Sequence, residues 1–276
     1  MSRWKKPLIF VLSVTLLNLV GTRLYLDYVL EEGFWSKTFY IGGGADHNFV
    51  VYTPDDTIPG HGSTVACLFP AEVEADGVFD EAIWQDAVWQ TQTMIFGPEP
   101  QSDVDTGFRF ATAADGKYLY CAFAVTDDTI HTGEYANNHK QDGVEVYIDS
   151  NNQGGTAYDD DVQIRVLAQS LESGGADLVL HGTGIQDFGE RIKGGVRRSS
   201  EGYQFELAIP LETPRYSIVP RDGLEIGFNA GVIDRDSPDE DQSPENKLNW
   251  SEKDAADLSW TIPGLFGKLV FQERSR

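Results

Sequence analysis

The sequence of 276 residues has few of the groups on which catalytic sites are usually built. It contains two cysteines, Cys67 and Cys121, and five scattered histidines without metal-ligand spacing. It has no G-x-S-x-G, Walker A, H-E-x-x-H or C-x-x-C motif, so no catalytic residue is nominated and no enzyme is predicted. Two cysteines exclude a disulfide-built scaffold, but a single bridge and a pair of buried thiols both stay open.

Basic residues are also scarce. The 21 Lys and Arg residues stand against 44 Asp and Glu residues, which gives a formal net charge of -23. A nucleic acid needs a basic footprint for its phosphates, so nucleic acid is excluded as a partner. The acidic charge attracts divalent cations or a basic soluble protein such as a c-type cytochrome, and it also favours solubility.

An uncharged, mainly apolar segment, Pro7 to Thr22, follows Arg3, Lys5 and Lys6 near the amino terminus. It predicts a single transmembrane helix within residues 1–30, continued to Leu30, with the amino terminus in the cytoplasm. A small-x-small cleavage site is missing, which favours a retained signal anchor over a cleaved signal peptide. We therefore expect a protein of the bacterial inner membrane whose main domain is periplasmic or otherwise extracytoplasmic.

Residues 31–63 show neither helical nor strand periodicity, and we interpret them as an extracytoplasmic stalk or docking arm. Aromatic side chains at the predicted membrane interfaces and in this arm are candidates for contacts with lipid or with a partner protein. These candidate docking residues are Trp4, Tyr25, Tyr28, Phe34, Trp35, Phe39 and Tyr40.

Residues 64–276 carry the sequence pattern of a β domain. Val144, Val146 and Ile148 alternate with polar neighbours, and similar alternation recurs at 162–166, 203–209 and 224–230. Such runs, separated by Gly, Asp and Asn clusters, predict an all-β domain, an antiparallel β-sandwich of the immunoglobulin or jelly-roll type. A short helix is predicted at 80–87 with Asp80 as its N-cap, and 235–247 is interpreted as a polar loop.

Several segments, taken in order, resemble the family 9 carbohydrate-binding modules and the wider DOMON-like sandwich superfamily. They include EADGVFDEAIW at 74–84, QDGVEVYID at 141–149 and GYQFELAIP at 202–210, and the resemblance runs from about 72 to 272. It implies a β-sandwich with a glycan cleft. In that cleft two aromatic side chains clamp a sugar ring, while a Glu, an Arg and amides bond to its hydroxyls.

By motif, the resemblance places the cleft at Glu145, Arg165 and Trp260. The second clamp aromatic falls on His139, and one expected amide falls on Asp257. Half of the clamp has thus become an imidazole and one amide a carboxylate, which predicts a weakened or lost sugar site. The alternative interpretation is a cross-strand ion pair between Glu145 and Arg165, with Trp260 in the core.

The resemblance also suggests two cofactors, calcium and haem, as candidate ligands. Some superfamily members bind structural calcium, and here Asp149, Asn151, Gln153 and Asp160, with Asp159 and Asp161 nearby, offer oxygen ligands in one turn. Other relatives hold haem through Met and Lys. Met94 is the one methionine besides Met1, which disfavours haem.

These features favour a non-catalytic, membrane-anchored accessory or structural subunit that docks on a larger integral membrane protein assembly. A respiratory or photosynthetic electron-transfer complex would suit the acidic charge. The alternative is a surface-displayed carbohydrate-binding protein that binds polysaccharide in the cleft. A haem-binding subunit of an oxidoreductase is the second alternative.

Overall fold

The structure, a computed structural model, describes residues 63–274 except 99, 101, 103–104, 134–137, 189–190, 240–243 and 245, together with the backbone of three upstream strands. Those strands are β1 (Leu24–Leu30), β2 (Gly33–Gly43) and β3 (Phe49–Tyr52). They form an antiparallel sheet in the order β1-β2-β3. The predicted helical continuation to Leu30 is therefore wrong. The segment is rich in aromatic and β-branched residues, which favour a strand.

The predicted docking arm, residues 31–63, contains regular structure, because β2 and β3 lie within it. Tyr25 and Tyr28 lie in β1, and four of the other aromatic candidates, Phe34, Trp35, Phe39 and Tyr40, lie in β2. Trp4 and the apolar segment 7–22 lie outside the described residues, so the anchor stays a prediction. Within the part of the chain that the structure describes, no helix is long and apolar enough to cross a membrane.

The described residues of the main domain form thirteen strands and one short α-helix. They are β4 (Thr64–Phe69), α1 (Ala82–Asp86), β5 (Gln90–Thr91), β6 (Met94–Phe96), β7 (Thr106–Ala114), β8 (Tyr118–Asp127), β9 (Gly143–Asp149), β10 (Val162–Leu167), β11 (Leu180–His181), β12 (Lys193–Arg198), β13 (Gly202–Pro210), β14 (Glu225–Asp234), β15 (Asn246–Asn249) and β16 (Gly267–Glu273).

All thirteen strands belong to one curled sheet. Ten follow in the order β11-β10-β9-β14-β16-β4-β7-β8-β13-β12, while β5 pairs with β7 and β15 joins β14 to β6. The pairs β16–β4 and β4–β7 are parallel. The two halves of the sheet face each other, since Phe110 of β7 stacks on Phe228 of β14 with ring centroids 5.8 Å apart. The chain is therefore all-β, and the curled sheet is consistent with the predicted sandwich.

The core between the two halves follows the period-two pattern of the sequence. Val144, Val146 and Ile148 of β9 are buried in it, so the alternate residues of that strand project from the opposite, outer face. Cys67 and Cys121 are buried free thiols. Thr112 of β7 pairs with both positions and separates them, so of the two cysteine expectations the pair of buried thiols is the one present.

The outer face of β7, β8 and β13 is covered by α1 and the segment before it. Ile83 and Trp84 of α1 pack there against Ala111 and Ala122. The predicted N-cap is wrong by one residue, because Glu81 rather than Asp80 occupies that position and makes no side-chain cap. The Glu81 carboxylate instead accepts hydrogen bonds from the backbone N–H of Glu74 and the indole N–H of Trp84.

A buried carboxylate organises this covering segment. Glu206 of β13 accepts hydrogen bonds from the backbone N–H groups of Asp76, Gly77 and Val78 at 3.0–3.1 Å and from Trp84 Nε1 at 2.6 Å. Gly77 has φ +88°, and a Cβ there would lie 2.9 Å from the carbonyl carbon of Gly195. The segment with the D-G-x-x-D-E-A-x-W pattern thus covers the outer face of β7, β8 and β13 and is held there by hydrogen bonds to Glu206.

Candidate functional site

The outer face of β9 and β10 carries a buried ion pair. Glu145 and Arg165 are directly opposed cross-strand neighbours, and Glu145 Oε1 accepts hydrogen bonds from Arg165 Nε at 2.9 Å and Nη2 at 2.6 Å. Glu145 also accepts from Gln163 Nε2 at 2.9 Å and from the Tyr147 hydroxyl at 2.6 Å. The cross-strand pair predicted as one alternative is therefore present.

Lys247 of β15 extends this pair into a longer array. Its Nζ lies 3.2 Å from Glu145 Oε2 and 2.8 Å from Asp257 Oδ1. Asp257, Lys247, Glu145 and Arg165 therefore form a row of alternating charges, called here the charge row. Each buried charge in it has a neighbour of opposite sign, as burial of an ion requires.

The pKa values reflect this pairing. Burial raises the pKa of Glu145, but the charges of Lys247 and Arg165 outweigh burial and hold it below the ordinary range. Burial lowers the pKa of Lys247, but Asp257 and Glu145 outweigh burial and raise it above the ordinary range. Both groups are consequently ionised at neutral pH.

The loop between β15 and β16 presents Asp257 and Trp260. Asp254, fully buried, fixes the loop by accepting hydrogen bonds from the backbone N–H of Leu258 at 2.7 Å and of Ser259 at 2.9 Å. Asp257 has φ +53°, a conformation that Asp and Asn adopt more readily than most residues. Its carbonyl accepts a hydrogen bond from Trp260 Nε1 at 3.0 Å, which fixes an indole ring that is 38% exposed.

A cleft of about 800 Å³ opens above the charge row. Four of the five residues predicted for sugar binding, His139, Arg165, Asp257 and Trp260, line it, and Glu145 lies buried behind Arg165. They come from a turn, two strands and a loop far apart in the sequence. The cleft volume is typical of a small-ligand site.

His139 stands at the position of the missing clamp aromatic, in a short 3-10 turn before β9. Burial, together with the charges of Arg165, Lys140 and Lys247, lowers the pKa of His139 from its ordinary value of 6.5. The imidazole is therefore neutral at pH 7. A neutral ring can contact a sugar face, although it offers less apolar area than an indole.

Sequence reasoning missed several residues that line the cleft. Lys247 and Asn246 belong to a segment interpreted as a polar loop, but Asn246–Asn249 is a strand paired with β14 and β6. Phe96 and Gln163 also line the cleft. Gln163 could have been found, because it lies two residues before Arg165 on the same face of β10.

The predicted calcium turn brings three carboxylates together. Ligand oxygens of Asp149, Asp160 and Asp161 lie within 4.8 Å of one another. Asn151 and Gln153, predicted as ligands, instead donate their amide N–H groups to Asp160 at 2.7 Å and 3.1 Å. Burial, aided by the nearby Asp149 and Asp160 charges, raises the pKa of Asp161 to about 7. Three hard oxygens whose negative charges repel one another fit a calcium ion.

Two further clusters, each of three aspartates, lie near the ends of β8 and β14, and neither was predicted from the sequence. One consists of Asp127, Asp142 and Asp234, all buried, and the other of Asp105, Asp128 and Asp236. Both carboxylate oxygens of Asp234 are buried. Burial, with the charges of Asp127 and Asp236, raises the pKa of Asp234 to about 8.

The chain belongs to the family described as "Carbohydrate family 9 binding domain-like", which it matches over residues 75–274. The family predicted from the order of the motifs is therefore confirmed. The match is to a binding domain.

The curated relatives are much longer proteins. The chain is 28% identical over 246 residues to the endo-1,4-beta-xylanase A of Thermotoga maritima, covering 87% of this chain and 20% of that protein. It is 33% identical over 201 residues to the exoglucanase XynX of Acetivibrio thermocellus, covering 71% of this chain and 16% of that protein. The similarity thus concerns a small part of each relative.

Solved structures support the fold. A family 9 carbohydrate-binding module from Caldicellulosiruptor kristjanssonii in complex with cellotriose superposes with a TM-score of 0.60 at 22% identity, covering 77% of this chain and 95% of that one. A module from the same organism in complex with glucose gives a TM-score of 0.61 at 21% identity, covering 77% and 97%.

These comparisons correct the main functional prediction. The expectation of an accessory subunit docked on a membrane assembly is wrong, because the family and its relatives point to the carbohydrate-binding alternative. That expectation relied on the predicted anchor, the aromatic-rich arm and the departures at His139 and Asp257. Both residues nevertheless line the cleft together with Arg165 and Trp260.

Proposed function

We propose that this domain binds carbohydrate without catalysing a reaction, and that the cleft above the charge row is its glycan site. The observation that carries the proposal is the convergence of His139, Arg165, Asp257 and Trp260 on one cleft of about 800 Å³. The four residues come from three separate parts of the chain, since Asp257 and Trp260 share one loop. Their convergence brings together an aromatic surface and hydrogen-bonding groups, the two kinds of contact that sugar recognition requires.

The cleft offers both kinds of contact that a pyranose ring needs. The exposed face of Trp260 provides an aromatic surface for the C–H groups of the ring. Arg165 and Lys247 supply N–H donors, and the Asp257 carboxylate supplies an acceptor, all held by partners within the charge row. Because these groups are fixed before the ligand arrives, little ordering entropy is lost on binding.

The ligand class follows from the relatives and structural neighbours. The neighbours hold cellotriose and glucose, and the relatives are named as xylanases and an exoglucanase. We therefore propose neutral β-1,4-linked glucans and xylans, or oligosaccharides derived from them, as ligands. Since such polymers lie outside cells, we also propose an extracytoplasmic location, which protease treatment of intact cells would test.

The proposal is tested by binding of cellotriose and xylotriose to the full chain and to a Trp260→Ala variant, measured by isothermal titration calorimetry. Loss of the aromatic surface is expected to weaken binding at least tenfold, equivalent to about 1.4 kcal/mol. Trp89→Ala is the control, because Trp89 lies on the opposite outer face beside Trp84. Equal binding by the Trp260→Ala variant and the unaltered chain would exclude this cleft.

We also propose that Asp149, Asp160 and Asp161 bind a structural calcium ion. Support comes from the three convergent carboxylates and from Asp161 Oδ1, which is buried and accepts no hydrogen bond from the described residues. An ion there would offset the mutual repulsion of the three charges.

A further inference from the structure

The carboxylate of Asp257 lies near the buried carboxylate of Glu145, and Lys247 offsets the repulsion between the two. The resemblance expects a neutral amide at this position, whereas the chain places a carboxylate near the buried Glu145. Two carboxylates beside one cleft repel each other and disfavour ionisation of both. Lys247 Nζ lies between them, 2.8 Å from Asp257 Oδ1 and 3.2 Å from Glu145 Oε2.

The backbone at Asp257 does not require the carboxylate. Its φ of +53° lies in the left-handed region, where Asn is accommodated as readily as Asp. The two residues therefore differ at this site mainly in charge and in hydrogen-bonding capacity. A side-chain amide offers one acceptor and two N–H donors, but an ionised carboxylate offers acceptors alone.

We infer that Lys247 is a specificity-determining binding residue of the glycan cleft. It supplies the donor that Asp257 lacks, so that the Asp257–Lys247 pair replaces one amide in binding adjacent hydroxyl groups of a neutral sugar. This inference rests on the proposed function and deepens it.

The pair fits the chemistry of a sugar diol. Each hydroxyl both donates and accepts a hydrogen bond, so two neighbouring hydroxyls can bridge a carboxylate and an ammonium group side by side. Hydrogen bonds to charged groups are stronger than those to neutral ones, which compensates in part for the smaller ring at His139. An acidic sugar is disfavoured, because its carboxylate approaches Asp257 in a chain of net charge -23.

The inference predicts that a second substitution, Asp257→Asn, partly restores the binding that Lys247→Met removes. Lys247→Met removes the counter-ion of Asp257 and the donor, so cellotriose binding is expected to fall at least tenfold. Asp257→Asn alone leaves Lys247 paired only with Glu145 and is expected to weaken binding less. In Lys247→Met/Asp257→Asn the amide again carries its own donor and acceptor, so binding is expected to be tighter than in Lys247→Met.

The experiment is a double-mutant cycle on the full chain, with cellotriose affinity measured by calorimetry and the melting temperature measured beside it. Glu145 keeps Arg165 as a partner in every variant, and Lys247→Arg serves as a conservative variant that retains a cation. A merely structural lysine would lower the melting temperature of both Lys247→Met variants without recovery of affinity on addition of Asp257→Asn.

Each outcome decides something. Recovery of affinity in the double variant, with binding retained by Lys247→Arg, supports the inference. Additive losses, or unchanged affinity in Lys247→Met, overturn the inference but leave the proposed function intact. Failure of the unaltered chain to bind cellotriose, xylotriose or glucose overturns the proposed function and the inference with it.

Discussion

The two outer faces of the curled sheet each bury one glutamate, and they treat it in opposite ways. Glu145, on the face of β9 and β10, has Arg165 and Lys247 as partners, and its pKa is lowered. Glu206, on the face of β8 and β13, accepts hydrogen bonds, among the described residues, from neutral N–H donors of the segment 76–84, with Glu81 nearby. Burial, followed by the Glu81 charge, raises the pKa of Glu206 to about 7.

The difference shows what kind of partner keeps a buried carboxylate charged. Both side chains are fully buried and accept several hydrogen bonds, so neither burial nor the number of bonds separates them. The cations separate them, because a full positive charge outweighs desolvation where N–H dipoles do not. The face proposed to bind glycan keeps its charges, and the covered face uses its carboxylate to attach a segment of the chain.

The strongest way to break this comparison is to neutralise each glutamate in turn. Glu145→Gln leaves two buried cations without their shared anion and is expected to cost about 3 kcal/mol or more of the free energy of unfolding. Glu206→Gln loses hydrogen bonds but strands no charge, so about 1–3 kcal/mol is expected. Urea unfolding at pH 7 measures both. An equal or larger loss in the Glu206→Gln variant would contradict the comparison.

Calcium removal sharpens the comparison by testing a cluster of carboxylates whose countercharge would come from a bound ion. Chelation with EDTA is expected to lower the melting temperature, and CaCl2 to restore it, because the carboxylates of Asp149, Asp160 and Asp161 converge and repel one another. Bound calcium at a hundredfold excess over its Kd contributes about 2.7 kcal/mol.

Asp161→Asn is the matched control for the calcium experiment, since it removes one of the three charges and one ligand oxygen. Its melting temperature should respond less to CaCl2 than that of the unaltered chain. Identical melting of the unaltered chain in EDTA and in CaCl2 would show that no calcium ion stabilises this turn.

The smallest expected effect concerns pH on the covered face. The folded state holds the Glu206 proton up to about pH 7, whereas an ordinary glutamate releases it near 4.5. The free energy of unfolding therefore falls as pH rises through this window. Glu81→Gln removes a charge that raises the pKa of Glu206, so its stability should fall less between pH 5 and pH 8.

Urea unfolding at several pH values, compared between the Glu81→Gln variant and the unaltered chain, measures this effect. The difference between the two pH profiles isolates the Glu81 contribution from that of other acids, such as Asp127 with its pKa raised to about 6 by burial. Parallel profiles would mean that Glu81 does not influence the Glu206 titration.

The β pattern of the main domain could be predicted because each strand repeats a simple rule. Val144, Val146 and Ile148 alternate with polar neighbours, and the structure places all three in the core. Leu24–Leu30 was mistaken for helix because a short run of apolar and aromatic residues satisfies either template. Asn246–Asn249 was missed because it holds one apolar residue, and its strand pairing comes from distant neighbours.

The candidate site residues that could be predicted are those at, or at a fixed spacing from, positions of the family motif. Glu145, Arg165 and Trp260 occupy motif positions, and the spacing from them reached His139 and Asp257. Lys247 has no such spacing, since it enters the cleft only through the pairing of β15 with β14 and β6. Asn151 and Gln153 were predicted as oxygen ligands, whereas the structure shows their side-chain N–H groups donating to Asp160, a contact that the sequence alone does not reveal.

The parallel pairing of β4 with β16 has a mechanical consequence. Thr64 lies opposite Lys268 and Phe69 opposite Glu273, so the first and last strands of the domain run side by side in the same direction. A pull on the two ends of this domain in opposite directions would slide the strands lengthwise. All the ladder hydrogen bonds would then bear load together instead of opening one at a time. The strand pair that joins the two halves of the sheet thus also resists tension along the chain.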